Sequence, residues 1–540
     1  MTNFANQIME LRYSWNKEDG TKETWDDIVT RVVENVFSVD IHKIFEKEKQ
    51  ELLQIMKDRK FIAGGRFLAQ SGRDYHQTNN CFLLRAEDTR EGWGELVDKA
   101  TRMLMSGGGI GVDYSDLRPS GSPLKRSGGT SSGAVPLMRI INEIGRGVMS
   151  GGKRRSAIWA GLRWNHGDIF EFLDVKNWSE EVKKIKETDF DFPATLDMTN
   201  ISVILDKDFF DAFDDENNIQ HKLAQDVYWK TVENMCKAGE PAFSVDYENK
   251  RESLRNACDE IVSEDDSDVC CLGSINLPKI KNIKELKRVT ELAQLFLILG
   301  VIYSDVPHPK VKEIKNKNMR TGLGIMGFHE WLIIHGYKYE ENKELGEWLT
   351  VWKNTSDDSA KRWSEKLGVK EPIKKRAIAP NGTISIAGGQ TTSGIEPIFS
   401  VAYQRRYLSD DGWKKQFVID FVAERLHESG FDISQVEDAY SLSKNVEKRI
   451  SFQAFVQEFV DNAISSTINL PAYGEEGNNN FMEFGKILYP YLPKLRGITT
   501  YPDGSRGGQP LKPVPFAYAL QRKNLVFEGH EECADGVCGI

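Results

Sequence analysis

Cysteine is scarce. Seven in 540 residues are too few for a disulfide-stapled scaffold, so the chain reads as cytoplasmic and each thiol needs its own explanation. Long apolar runs are also missing. The longest, Leu295–Leu299 continued past Gly300 to Tyr303, falls short of the roughly 18 residues that span a bilayer. Met1-Thr2-Asn3-Phe4 opens no charged-then-apolar leader, and no membrane association is expected. Positive charge is not in excess: 71 Lys and Arg against 81 Asp and Glu leave a net −10. A general nucleic-acid binder would carry the opposite footprint. No internal repeat is visible. What is present is an ordinary balance, 40% hydrophobic and 28% charged, which argues against wholesale disorder. The length suits several domains or one large enzyme core.

Residues 1–78 read as an N-terminal helical region. Trp25, Ile28, Val29, Val32, Val33, Val36 and Phe37 fall on one helical face behind Thr24-x-x-Asp27, a capping pattern. From about Asn79 the texture changes. Short β-type segments such as Cys81–Leu84 and Ile201–Leu205 alternate with helical stretches and with the glycine turns Gly107-Gly108-Gly109, Gly128-Gly129 and Gly151-Gly152. That alternation predicts an α/β core with parallel strands. Glu264-Asp265-Asp266 and Glu475-Glu476-Gly477 read as exposed loops. Residues 502–540, with Asp503-Gly504-Ser505-Arg506-Gly507-Gly508 and Lys512-Pro513-Val514-Pro515, have the composition of a flexible tether.

Several familiar patterns fail. Gly147-x-x-x-x-Gly152-Lys153 lacks the hydroxyl of a phosphate-binding P-loop because Arg154 follows. Gly107-Gly108-Gly109-Ile110-Gly111 does not complete the dinucleotide fingerprint. Cys258, Cys270 and Cys271, and then Cys533 and Cys538, lack the paired spacing of structural zinc. No metal site is expected.

The cysteines offer a different chemistry. In Asn256-Ala257-Cys258-Asp259-Glu260, an extended backbone would turn Asn256, Cys258 and Glu260 to one side. That side would hold an amide to orient hydroxyls, a sulfur able to exchange hydrogen and a carboxylate able to take a proton. On these five residues alone, a surface loop with one small hydrophobe is the simpler reading. Asp268-Val269-Cys270-Cys271-Leu272-Gly273-Ser274-Ile275-Asn276-Leu277 follows, and Asn79-Asn80-Cys81-Phe82-Leu83-Leu84 lies far upstream. Cys236, within a helical pattern, reads as core packing.

Together these residues resemble the catalytic subunit of ribonucleotide reductase. Asn256-x-Cys258-x-Glu260 is similar to the family's finger-loop motif, with Ala257 and Asp259 where Pro and Gly are usual. Ala379-Pro380-Asn381-Gly382-Thr383-Ile384-Ser385 resembles its substrate-phosphate turn, followed by Ser393-Gly394-Ile395-Glu396-Pro397. Asp116-Leu117-Arg118-Pro119-x-Gly121-Ser122 and Gly151-Gly152-Lys153-Arg154-Arg155 are similar to its effector-reading loops. The resemblance implies a ten-stranded α/β barrel over residues 79–501 with a central finger loop, preceded by the helical region.

It also implies roles. Cys258 would carry a thiyl radical that takes the ribose 3′-hydrogen, Glu260 would act as base on the 3′-hydroxyl and Asn256 would orient the sugar. Cys81 and Cys270, brought together by adjacent parallel strands, would supply protons and electrons and end as a disulfide. Cys271 reads as a buried small hydrophobe. Cys533 and Cys538 would then exchange with that disulfide and be recycled by a thioredoxin- or glutaredoxin-like reductant. Asn80, Pro380, Asn381, Gly382, Thr383 and Ser385 would bind substrate. Asp88, Arg118, Lys153 and Arg154 would bind a dNTP or ATP effector. Thr499 and Thr500 stand where members with a separate metal-containing subunit carry two tyrosines, although nearby Tyr501 keeps that class as the alternative. This stretch and Gly64-Gly65-Arg66-Phe67-Leu68 resemble the adenosylcobalamin (coenzyme B12) class. The likeness starts near Leu11-Arg12-Tyr13, so no overall-activity module is expected. A homodimer beside the effector loops is expected, with a monomer as the alternative, and substrates are ribonucleoside di- or triphosphates. A nucleotide-binding regulator with incidental cysteines and a plain thiol–disulfide oxidoreductase are the competing classes.

Overall fold

The computed structural model describes residues 3–125, 128–148, 156–189, 192–248, 251–409, 412–505, 511–523 and 526–528. Its strands are β1 Phe61–Ala63, β2 Cys81–Arg85, β3 Gly109–Asp113, β4 Ile158–Arg163, β5 Thr199–Asp206, β6 Ala242–Asp246, β7 Leu254–Arg255, β8 Val262–Ser263, β9 Asp268–Asn276, β10 Thr321–Met326, β11 Ala402–Ser409, β12 Gly412–Ile419, β13 Thr467–Leu470, β14 Gly497–Pro502, β15 Leu511–Pro513 and β16 Val526–Glu528.

Strands β2 to β6 lie side by side, all parallel. Helices connect them, which is why their sequences run apolar on both faces instead of alternating. A second parallel set is built from β9 and β10 on one side and β13 and β14 on the other. Between these pairs, bridges Leu323↔Arg376 and Ile378↔Ile464 insert a short extended segment. The two sets meet antiparallel at both seams, β9 against β2 and β14 against β6, so the sheet closes on itself. The hydrogen-bonded sheet counts ten strands, with β1 as an outer addition to β9. The ten-stranded α/β barrel predicted from the sequence is the architecture found.

Antiparallel seams have a consequence for position. The starts of β2 to β6 and the ends of β9, β10, β13 and β14 share one rim of the barrel. Outside it, one apolar layer packs the first set under helices Arg90–Met105, Val135–Gly147 and His221–Ala238. Cys236 is fully buried there. A second layer packs β9 and β10 under Ile283–Tyr303 and Lys343–Leu367, while the buried residues of β13 and β14 join the first. The N-terminal helix Trp25–Val36 joins the second layer, and Thr24 and Asp27 cap each other as the capping pattern predicts. The first 78 residues are not purely helical, since β1 lies among them.

The stretch predicted as a free tether is also partly structured. β15 and β16 flank the hairpin β11–β12. Helix Phe516–Gln521 packs Ala519 against Ala402, Ile419 and Ala423. The apolar residues Val514, Phe516 and Ala519 outweigh the Pro and Gly around them.

Candidate active site

β7 and β8 form a short hairpin, Leu254↔Ser263 and Arg255↔Val262, carrying residues 256–261 into the barrel. It runs hard against β3. A Cβ on Gly111 would lie 1.8 Å from the Arg255 carbonyl oxygen, so the bare backbone of this strand lets the loop through. That is the use of the glycine run that fails as a dinucleotide fingerprint. On the far side, Ala463 N–H donates to the Glu260 carbonyl at 2.9 Å.

The loop differs from the extended segment predicted. Asp259 is left-handed at φ +64, a conformation that Asp tolerates better than most residues. Its N–H donates to the Asn256 carbonyl at 3.1 Å, and Asn256 Oδ1 accepts from Ile261 N–H at 2.9 Å. A turn, not strand alternation, therefore gathers the trio. Asn256 is fully buried behind the loop and is not on the cleft wall. Cys258 and Glu260 line a cleft of about 230 Å³ at the shared rim.

Cys81, Asn80, Pro380, Asn381 and Thr383 line the same cleft. The turn at 380–381 ends the extended segment and opens helix Gly382–Ile384. Asn381 is pinned by its N–H to Ser393 Oγ at 2.8 Å and by Ser274 Oγ to its Oδ1 at 3.2 Å. Gly382 and Ser385 are not on the cleft wall. Ser385 is buried, and its hydroxyl donates back to the Gly382 carbonyl at 3.1 Å.

Cys81 and Cys270 face each other across β2 and β9, in antiparallel register. The parallel neighbours expected from the sequence are replaced by one of the two seams. Directly opposed antiparallel residues stand about 4.5–5.5 Å apart at Cα, inside the roughly 4.4–6.8 Å that a disulfide spans. Both are free thiols, as are the other cysteines among the described residues. Cys271, one residue on, points to the opposite face. It is fully buried in the outer apolar layer, where its thiol donates to Asn79 Oδ1 at 3.1 Å.

Burial sets the electrostatics. The Glu260 carboxyl is pushed up to about 7, chiefly by desolvation and partly offset by the Asn256 amide. Burial also raises Asp259 to about 7 against the pull of Arg255. Cys81 is pushed up to about 12 by burial and then by the Glu260 charge. Cys258 and Cys270 are also raised, again mainly by desolvation. These groups therefore rest as thiols beside a carboxyl that is half-protonated near neutral pH. Four buried polar atoms make no well-formed hydrogen bond here: Glu260 Oε2, Asn256 Nδ2, Asn80 Oδ1 and Asn381 Nδ2. Such atoms are costly unless a ligand or water meets them.

Tyr13, Gly64, Gly65, Arg66 and Ser274, which no sequence motif marks as site residues, also line the cleft. Ser274 and Gly64-Gly65-Arg66 lie inside stretches that carry the resemblance. Tyr13 sits just past a helical segment, where the likeness begins, but no motif there pointed to a site role. Asp88 and Arg118 pair at 2.7 Å just beyond the ends of β2 and β3, at the opposite rim. Lys153, Arg154, Cys533 and Cys538 lie outside the described residues. Among the described residues, no group of three or more His, Cys, Asp or Glu could hold a metal ion, and no helix is long and apolar enough to cross a membrane.

A family profile for the ribonucleotide reductase barrel domain matches residues 79–255, 244–351 and 350–501. A vitamin B12-dependent ribonucleoside-diphosphate reductase of Mycobacterium tuberculosis is 27% identical, over 90% of this chain and 76% of that protein. A Thermoplasma acidophilum protein of the same name is 26% identical, over 94% and 71%. A Mycobacterium phage D29 protein described as an adenosylcobalamin-dependent ribonucleoside-triphosphate reductase is 26% identical, over 99% and 98%.

Proposed function

Because the chain belongs to the ribonucleotide reductase family, we propose that its cleft reduces ribonucleoside di- or triphosphates to 2′-deoxyribonucleotides with adenosylcobalamin as radical source. One observation carries the reading above all. Cys258, Glu260 and Cys81 line one cleft, and strand register sets Cys270, buried just behind its wall, opposite Cys81.

The burial shifts are compatible with the roles proposed for Cys81 and Glu260. Cys258, as a thiyl radical, takes the 3′-hydrogen, and Glu260 accepts the 3′-hydroxyl proton. A carboxyl near 7 is well matched to that task. Asn256 holds the Glu260 loop from behind and offers its Nδ2. Cys81, protonated at neutral pH, gives the departing 2′-hydroxyl a proton so that water leaves. Cys81 and Cys270 supply two electrons and close as a disulfide, and Cys258 returns its hydrogen to C3′. The Cys270 proton ends on C2′, Glu260 returns its proton to the 3′-oxygen, and one dithiol becomes one disulfide for each hydroxyl lost as water. Cys533 and Cys538 then reopen the disulfide by exchange and pass it to an external thioredoxin- or glutaredoxin-like dithiol. Asn80, Asn381 and Thr383 hold the nucleotide, and Pro380 and Gly382 shape the turn that presents them. Ser385 braces that turn.

A second hollow opens at the ends of β13 and β14, on the same rim, and offers one wall to a corrinoid without enclosing it. There Asn469 and Tyr501 alternate with buried Leu470 and Pro502, so they face inward. Phe399, Tyr440 and Tyr501 offer ring faces, and Lys444, Asn469 and Asp503 offer polar partners. This wall suits a flat macrocycle with amide arms, and these residues would hold it. When bound, adenosylcobalamin supplies the one-electron oxidation of the Cys258 thiol through cobalt–carbon homolysis. Thr500 donates outward to the Met235 carbonyl at 2.9 Å and Thr499 to the Ser466 carbonyl at 2.9 Å. Neither supports a tyrosine-type relay, and the B12-dependent names of the relatives disfavour that class.

At the opposite rim, Asp88 and Arg118, with Lys153 and Arg154, would read a dNTP or ATP effector, and a homodimer would pair helices beside them. The test is anaerobic turnover of each ribonucleotide with adenosylcobalamin and a dithiol. Deoxynucleotide formed without a second protein, and lost in Cys258→Ala, supports the reading. Turnover that survives Cys258→Ala, or that requires a metal-loaded subunit, overturns it.

A further inference from the structure

The family's usual Pro and Gly around the loop cysteine are absent here. Ala257 and Asp259 stand in their places, yet the loop is held in one tight turn. We infer that the buried Arg255–Asp259 ion pair is what positions the Cys258 thiol, with both residues acting as positioning residues for the reaction proposed above, on which this inference rests.

The pair spans the cysteine as i and i+4. Arg255 Nε lies 3.2 Å from Asp259 Oδ1, with the two side chains 0% and 9% exposed. Ser244 Oγ adds a contact to the same oxygen at 3.4 Å. The guanidinium is anchored in turn. Its Nη2 donates to the Val245 carbonyl on β6 at 2.9 Å and to the Arg496 carbonyl just before β14 at 3.3 Å. Its Nη1 donates to the Leu254 carbonyl at 3.1 Å. Arg255 thus ties the base of the hairpin to the β6–β14 seam, and Asp259 ties the tip to Arg255. The barrel has made room for this. A Cβ on Gly497, the first residue of β14, would sit 2.0 Å from Asp259 Oδ2, so the carboxylate occupies the space a side chain would fill. Asp also keeps the left-handed turn that Gly would allow, while adding a tether that Gly lacks.

A buried pair can be structural without setting the thiol, so the variants must separate the two. Asp259→Gly keeps the turn and removes the tether but strands a buried guanidinium. Arg255→Met with Asp259→Gly removes both charges and relieves that cost. Full-length protein of each is compared for melting temperature, for kcat and KM with adenosylcobalamin, and for the alkylation rate of the Cys258 peptide by iodoacetamide without cofactor. The double variant is expected to regain melting temperature. Its kcat should still fall about tenfold or more at unchanged KM, because small displacements of a reacting group are expensive. Its Cys258 should alkylate correspondingly faster. Recovery of kcat together with melting temperature, or kcat and alkylation both within twofold of the unaltered chain, overturns the inference. If the unaltered chain shows no turnover, the functional reading fails, and the alkylation arm alone then decides whether the pair holds the thiol.

Discussion

The two rims of the barrel treat their buried polar groups differently. At the rim where β9 starts, Arg320 Nε meets Asp268 at 2.8 Å with both side chains almost fully enclosed. Its other nitrogens donate to Asn462 and Ser263. Glu252 takes Lys374 at 2.7 Å and Arg496 at 3.1 Å. Every one of these charges is answered from within the chain. At the cleft rim, Glu260 Oε2, Asn256 Nδ2, Asn80 Oδ1 and Asn381 Nδ2 are buried and unanswered. A paired network fixes where strands end. An unpaired one is a standing cost that a ligand can repay. Neither burial nor a missing partner marks the site alone, since Trp331 Nε1 and Gln294 Oε1 are also buried without one; what marks it is that Glu260, Asn80 and Asn381 bring such atoms to one cleft.

The largest effect should come from the unanswered rim. Glu260→Gln keeps shape and removes the base, so kcat should fall by about 10²–10⁴, measured under saturating substrate. The acid limb of the kcat profile, expected near pH 7 in the unaltered chain, should vanish. An unchanged profile would remove Glu260 from the chemistry. At the answered rim, Arg320→Met should behave oppositely. It strands Asp268 and should cost about 3–5 kcal/mol of stability by denaturant unfolding, with kcat per folded molecule unchanged.

The same contrast has a pH signature. The Glu260 carboxyl goes from an ordinary 4.5 to about 7 on folding, so the folded chain holds a proton that the unfolded chain releases between those values. Its contribution to stability is full below about 4.5 and is lost as pH rises through about 7, amounting to about 3 kcal/mol. Unfolding free energies across that window should show this fall on top of one from Asp259, which burial also raises to about 7, and Glu260→Gln should remove only the Glu260 share. Smallest should be Cys271→Ala. Its thiol only packs the outer layer and meets Asn79, so about 1 kcal/mol of stability should go with kcat intact, in contrast to its neighbour Cys270.

Much of this was legible from the residues. Glycine-punctuated alternation of strand and helix gave the parallel sets, and Thr24-x-x-Asp27 marked a real helix start. The residues of the loop trio were identified, but not how they come together. Periodicity reports only local geometry, whereas a left-handed Asp259 and a buried Asn256 depend on what the barrel packs around them. The pairing of Cys81 with Cys270 was inferred with parallel strands because nothing in linear sequence says where a closed sheet places its antiparallel seams. The acidic run Glu264-Asp265-Asp266 read as an exposed loop. In the fold, Asp265 meets Lys317 and Asp266 meets Lys99, both at 2.8 Å, partners 52 and 167 residues away in the chain. Tyr13 reached the cleft by tertiary packing that no local pattern announces.

The most direct measurement maps thiols after a single turnover. The chain, reduced and then freed of dithiol, is given adenosylcobalamin and substrate, quenched, and its cysteine peptides are read by mass spectrometry with and without Cys533→Ser and Cys538→Ser. In the tail variant, one deoxynucleotide should appear per chain alongside one Cys81–Cys270 disulfide, with Cys258 and Cys271 still free. Product formed while Cys81 and Cys270 both remain thiols would contradict the account.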